Sequence, residues 1–269
     1  MTISEQSWIK YISDLRKVND AAANKMLEFM NLNRDEDGLW NSPEIRKAIL
    51  DYAYGLSNKY GDAAAELACE MYDSVGALSG LPLSAAEPAA GATYKEVAKT
   101  VNGTLKQSNQ AEVISSAVAR LVKMQGVDTT MQNAIRDMAE WAWIPHGDTC
   151  AFCIALASRG WQLATDEALK GGHAEHIHAN CDCTYAIRFS EDTEYGGYDP
   201  DKYLEQYENA DTSSFGFGSV NNDREGKKHW QDMATARING MRRAEYAKNK
   251  DMINAQKRAA YAARKEREV

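Results

Sequence analysis

The 269-residue sequence has no apolar run approaching the roughly 20 residues that a helix needs to cross a bilayer, which excludes a helical membrane-embedded protein. The opening stretch, MTISEQSWIKYISDLRK, lacks the basic start, apolar middle and small-residue cleavage site of a secretory signal, so maturation in a reducing cytoplasm is expected. Catalytic signatures are missing as well. There is no Gly-rich phosphate loop with Lys and Ser/Thr, no G-x-S-x-G elbow and no H-E-x-x-H. The acidic residues are scattered over helical faces as a solvated surface, and the expectation is a protein that is not an enzyme. Cysteine and histidine are scarce, five of each, but they are not evenly spread. In a reducing compartment clustered cysteines mark a metal site more readily than a disulfide framework.

What is present has the balance of a globular protein: 44% hydrophobic and 26% charged residues. The length allows one good core, or two domains with an arm left over. The net charge of -8 hides an asymmetry. Residues 224–269 carry 13 Lys and Arg against 6 Asp and Glu, a local +7, so residues 1–223 carry -15. A basic tail on an acidic body reads first as a solvated or partner-docking helix, because acidic residues are interleaved and stacking aromatics are few.

The first 145 residues read as helices. Thr2 and Glu5 fit a capping box, followed at helical spacing by Trp8, Ile9, Ile12, Leu15 and Val18. RDEDG at 34–38 is a turn, after which Ser42 caps and Pro43 opens a helix to about residue 78, with a break suggested near Tyr60-Gly61-Asp62. A Pro-, Ala- and Gly-rich loop covers 79–92. Asn109 and Glu112 form another capping signature, Gly126 closes that helix, and Thr129 and Gln132 open one carrying Met131, Ile135, Met138, Trp141 and Trp143. Beyond Pro145 the character changes: TDEALKGG reads as a short helix, and CDCTYAIRF alternates as a strand with Cys181, Cys183, Tyr185, Ile187 and Phe189 on one face. The expected fold is mainly α with a small zinc-stabilised α+β module and a long C-terminal helical arm. Its division is a helical domain over 1–140, a zinc-binding module over 141–190, a turn-rich linker over 191–223 and a basic helical arm over 224–269.

Residues 146–190 hold four of the five cysteines and four of the five histidines. Cys150 and Cys153 form C-x-x-C; after 24 intervening residues His178, Cys181 and Cys183 form H-x-x-C-x-C. Zinc takes four such ligands as a tetrahedron, and two short pairs joined by a loop supply them with little ordering of the chain. Cys150, Cys153 and His178 are the firmest choices, with Cys181 and Cys183 competing for the last place. More than enough ligands are on hand to close the shell, which argues for one structural zinc per chain; a catalytic zinc keeps a position open for water. Bound structural zinc supplies on the order of 10 kcal/mol of folding free energy, which a module of about 45 residues needs. The alternative is a zinc hydrolase or deaminase with Glu175 of HAE as general acid/base. In the deaminases, however, H-x-E precedes P-C-x-x-C, whereas here it follows.

GDTCAFCIALASRGW followed by HIHANCDCTYAIRF resembles the C-terminal signature of the phage minor head protein family typified by the F protein of phage Mu. NKYGDAAAELACEMYD is similar to the helical part of its relatives in phages of Gram-positive hosts. The resemblance spans roughly residues 40–190. It implies a virion component made in the bacterial host cytoplasm and present in few copies at the portal vertex. Such a protein would contact portal or major capsid protein and act in head assembly, DNA packaging or ejection. It assigns Cys150, Cys153, His178, Cys181 and Cys183 to a metal knot and assigns no catalytic residue. The usual proline after the motif histidine is Ala179 here. Contact of the basic arm with DNA would be to phosphates, without sequence preference.

Overall fold

The computed structural model describes residues 2–35, 38–146, 151–165 and 183–209. The chain opens with a two-residue strand, β1 (Thr2–Ile3), and a long helix, α1 (Glu5–Leu32). The cap of α1 is Ser4 rather than the predicted Thr2: its hydroxyl accepts the Ser7 amide at 3.1 Å. Thr2 is not available for capping, because β1 pairs in parallel with residues 194–195. Asp35 organises the following turn, its carboxylate accepting the amides of Leu39 (2.6 Å) and Asn41 (3.0 Å). Helix α2 (Pro43–Ser79) starts where predicted, with Ser42 accepting from Ile45 and proline in the first turn, and stops at Gly80 with a left-handed φ of +68°. It runs unbroken through Tyr60-Gly61-Asp62. Helix α3 (Tyr94–Gln107) opens on a capping box between Thr93 and Glu96.

Helix α4 (Ala111–Arg136) replaces the two helices predicted over this stretch, and its cap position is Gln110, which makes no side-chain bond. Gly126 does not end it. A Cβ at that position would lie 3.1 Å from the Ala64 carbonyl oxygen of α2, so the glycine serves the close crossing of two backbones. The real stop lies further on. The Ala139 amide bonds to the Ala134 carbonyl (2.8 Å) and the Met138 amide to that of Ile135 (3.3 Å), a Schellman ending with Met138 in the left-handed region at φ 55°.

This reversal sends the chain into strand β2 (Glu140–Ile144), so Trp141 and Trp143 alternate on a strand instead of extending a helix. Then come α5 (Ala151–Ala157), β3 (Gln162–Leu163), β4 (Thr184–Arg188), β5 (Glu194–Tyr195) and α6 (Pro200–Asn209). One sheet has the antiparallel order β3-β2-β4, with Trp143 opposite Tyr185 and Glu140 opposite Arg188; the other is the parallel pair β1-β5. Strand β4 is the one that CDCTYAIRF predicts. The predicted helix at TDEALKGG and the arm over 224–269 lie outside the described residues. The described part of the expected linker holds β5 and α6.

Two main clusters form the core. One gathers Met26, Met30, Trp40, Ile49, Val97, Ile114 and Val118 between α1, α2, α3 and α4. The other joins Trp8 and Ile12 of α1, Tyr72 of α2, Met131 of α4, Trp141, Trp143, Tyr185, Ile187 and Tyr195. The second cluster draws on residues from both sides of 140/141, so that division does not coincide with a boundary between cores. Burial of each large side chain contributes about 1.5–3 kcal/mol.

The 79–92 loop does more than separate helices. A row one turn apart on α4, Gln125, Thr129 and Asn133, is buried and bonds its backbone. Gln125 Nε2 donates to the Ala89 carbonyl (3.0 Å), Thr129 Oγ1 accepts the Ala89 amide (2.9 Å), and Asn133 exchanges two bonds with Glu87 (2.8 and 3.0 Å). Extended backbone is thus satisfied by side chains where no strand partner is present.

A left-handed residue with a Cβ carries a steric cost that glycine avoids. Met138→Gly should therefore raise stability, by about 0.5–1 kcal/mol, read as an increase in the denaturant midpoint at unchanged slope.

Candidate metal centre

Two of the five candidate ligands fall within the described residues. Cys153 lies on α5 and Cys183 immediately precedes β4; they are 1% and 0% exposed and belong to the same buried cluster as Trp143 and Tyr185. Cys150, His178 and Cys181 lie outside the described residues, as does Glu175. Among the described residues no three of His, Cys, Asp and Glu come together as a metal-binding group. The two thiols are of the donor type that a soft metal takes. They come from segments 30 positions apart and belong to one apolar cluster that also holds Trp141, Trp143 and Tyr185. His146, beyond the end of β2, is half-buried and received no role from the sequence.

The scaffold that places Cys183 is β4. Tyr185, two residues on, is held edge-on between Trp141 (4.8 Å between ring centroids) and Trp143 (4.9 Å) of β2. At the far end Arg188 pairs across the sheet with Glu140, Nε and Nη2 lying 2.8 and 2.7 Å from one carboxylate oxygen. Its guanidinium also lies over the Trp161 ring at 4.7 Å. Both partners are buried, so loss of one leaves an uncompensated charge and costs about 3–5 kcal/mol. The second face of β4, polar by alternation, is therefore an interior face closed by an ion pair.

The described end of the chain closes over this region. Tyr195 of β5 donates its hydroxyl to the Ile187 carbonyl (2.8 Å) and stands edge-on to Trp8 at 5.1 Å. In the turn that follows, a Cβ on Gly196 would lie 2.9 Å from the Glu5 amide nitrogen, and Gly197 adopts φ +81°. The Tyr198 hydroxyl donates to the Ala157 carbonyl at the end of α5 (2.8 Å), and α6 packs against α5. The sequence pattern predicts a turn-rich linker over 191–223, whereas its described part forms β5 and α6. The signal there is the run of tyrosines, Tyr195, Tyr198 and Tyr203, more aromatic surface than a solvated linker needs.

A second concavity, of about 810 Å³, lies between α3, α4 and residues 90–93 and is lined by Glu96, Lys99, Thr104, Arg120 and Asp128 among others. Desolvation, with a smaller contribution from the Glu96 charge, pushes the Asp128 carboxyl up to about 6.

Among the described residues these features define a mainly helical protein with two small sheets and no helix long and apolar enough to cross a membrane. The model of the VG15 protein family, a family of phage proteins, matches residues 2–210, and the chain belongs to that family. The match ends one residue beyond α6, so β5 and α6 fall inside it. No curated protein and no solved structure matches the chain.

Because folding raises the Asp128 pKa, the folded chain keeps a proton that the unfolded chain has lost between about pH 4 and 6, and stability falls as pH rises through that window. Asp128→Asn should be neutral at pH 4 and stabilising by about 1–2 kcal/mol at pH 8, measured by urea unfolding across pH.

Proposed function

We propose that the chain is a phage minor head protein: a structural component of the virion, present at the portal vertex and acting in head assembly, DNA packaging or ejection rather than as an enzyme. It is made in the bacterial host cytoplasm and docks on portal or major capsid protein. The observation that carries the reading is the C-x-x-C and H-x-x-C-x-C signature in a member of a phage protein family, with Cys153 and Cys183 both buried in one aromatic-walled cluster. One zinc, held by Cys150, Cys153, His178 and one of Cys181 and Cys183, locks the joint between α5 and β4. It would supply folding free energy there, and the chain's own residues exclude water from it. The basic arm at 224–269 contacts an acidic partner or the phosphates of the packaged genome.

Metal analysis of purified protein should return one zinc per chain. Cys153→Ser should lose it together with cooperative melting, and wild type melted in chelator should behave like the variant; metal-free wild type that melts cooperatively would sink the zinc site. Truncation after Asp223 tests the arm separately. Salt-sensitive DNA retention should disappear while the body still melts as before, and retention and head incorporation unchanged by truncation would remove the arm from the reading.

A further inference from the structure

We propose that the concavity between α3 and α4 is a docking groove for an extended segment of a partner polypeptide, and that Asp128 receives a lysine or arginine side chain of that segment. The groove is lined by described residues and shares none with the cysteine site.

At about 810 Å³ the concavity has the volume of a ligand site, yet it is drawn out: on α3 its lining runs from Thr93 to Gln107. At about 1.5 Å per residue that wall is about 21 Å long, the span of about six residues of extended chain. On α4 the half-buried Leu121 and Met124 give the opposite wall an apolar stretch between Arg120 and Asp128.

The carboxylates set the charge of the occupant. Asp128 is half-buried, and among the described residues no hydrogen bond or ion pair reaches its side chain. Glu96 lines the same groove, its carboxylate fixed by the Thr93 amide (2.8 Å) and hydroxyl (2.7 Å). A partly desolvated carboxylate with a second one in the same groove is short of a cation, and a basic side chain relieves both. One turn before Asp128, Gln125 adds an unmet acceptor. It is 4% exposed, and its Nε2 donates to the Ala89 carbonyl and to Asp62 (3.0 Å each). Its Oε1, which would lie 3.2 Å from a Cβ on the groove residue Gly91, has no hydrogen-bond partner among the described residues. A guanidinium or ammonium group supplies donors for a carboxylate and an amide oxygen so placed. A phosphate backbone would bring like charge and no donor. Lys99 and Arg120 on the same walls favour a carboxylate elsewhere in the segment.

Gly103 makes room for a main chain. It sits inside α3, where glycine lowers helix stability relative to alanine, and a Cβ there would meet nothing within 4 Å among the described residues. Packing within the described fold does not call for a glycine at this place. Its bare backbone lines the groove and lets a second chain pass close to the helix.

The test selects a display library of random hexapeptides on the immobilised full chain and titrates single enriched peptides by fluorescence polarisation. Enriched peptides are expected to share a Lys or Arg at one position. Asp128→Asn should weaken them at least about tenfold, the loss that follows from one charge-assisted pair. Gly103→Leu, whose side chain fills the groove, should do the same, while Glu70→Gln on the exposed face of α2 leaves binding as in wild type and so controls for diffuse attraction to an acidic surface. Removing an uncompensated carboxylate and replacing a helical glycine both favour the fold, so weaker binding should come with melting temperatures at or above wild type. Should Gly103→Leu melt lower, Gly103→Ala takes its place. A library without enrichment, enriched peptides without a basic residue, or wild-type binding in either groove variant overturns the proposal. So do free arginine binding as tightly as the peptides, which makes the site one for a small cation, and dimers of the full chain that Asp128→Asn dissolves, which make the occupant a second copy. None of these outcomes changes the zinc content, so the metal reading stands or falls separately.

Discussion

The close crossing of α2 and α4 is the constraint on which the rest of the structure depends. At Gly126 a Cβ would press on the Ala64 backbone, at Gly61 one would collide with the Gln125 side chain, and Ala64, Ala65 and Ala68 continue the small-residue seam. Such a seam lets two helices approach until dispersion contacts between backbones stand in for interlocking of large side chains. Tyr72 of α2 reaches the end of α4, its hydroxyl 2.8 Å from the Asn133 carbonyl and from the Asp137 carboxylate. Arg136 forks onto Asp137 and reaches the carbonyls of Ser84 and Ala85. The loop between α2 and α3 is thereby laid along α4, and the polar row on α4 makes sense only in that setting.

From the end of α4 the same constraint passes to the sheet. The Schellman turn at Met138 delivers β2 beside the crossing, where its two tryptophans and Tyr185 of β4 join the buried cluster that holds Cys153 and Cys183. The N-terminus enters the same region through β1 and Trp8, and the chain returns through β5 and α6. Residues from α1, α4, β2, α5, β4 and β5 thus share one core, so a metal at the cysteines would stabilise more of the molecule than a 45-residue module.

Some elements were legible because their signals are local. Ser42-Pro43 at the start of α2 and the alternation in TYAIR each carry their own backbone preference, and both appear as read. Other signals misled because a tertiary demand took over the same residue type. Gly126 and Gly61 look like helix breakers but are contact points between helices, and Thr2 looks like a cap but is a strand residue. Met138 carries no stop signal, since methionine rarely adopts φ of 55°; the turn there is imposed by what α4 and β2 pack against. Trp141 and Trp143 suit a buried helix or a strand equally, and only the partner strand decides between them.

Of the candidate site, the sequence by itself determined the candidate ligand types and their spacing within each pair, because closely spaced Cys and His can offer several donors to one metal with little ordering of the chain. It also determined the family, through residues 2–210 taken together. Only the tertiary structure decided that Cys153 and Cys183 share a core with the first helix, that Arg188 turns the polar face of β4 inward onto Glu140, and that α6 lies over α5. The reason is physical: a motif records which groups bind, whereas their dryness and the walls around them come from residues distant in sequence, brought together by the burial of aromatic surface.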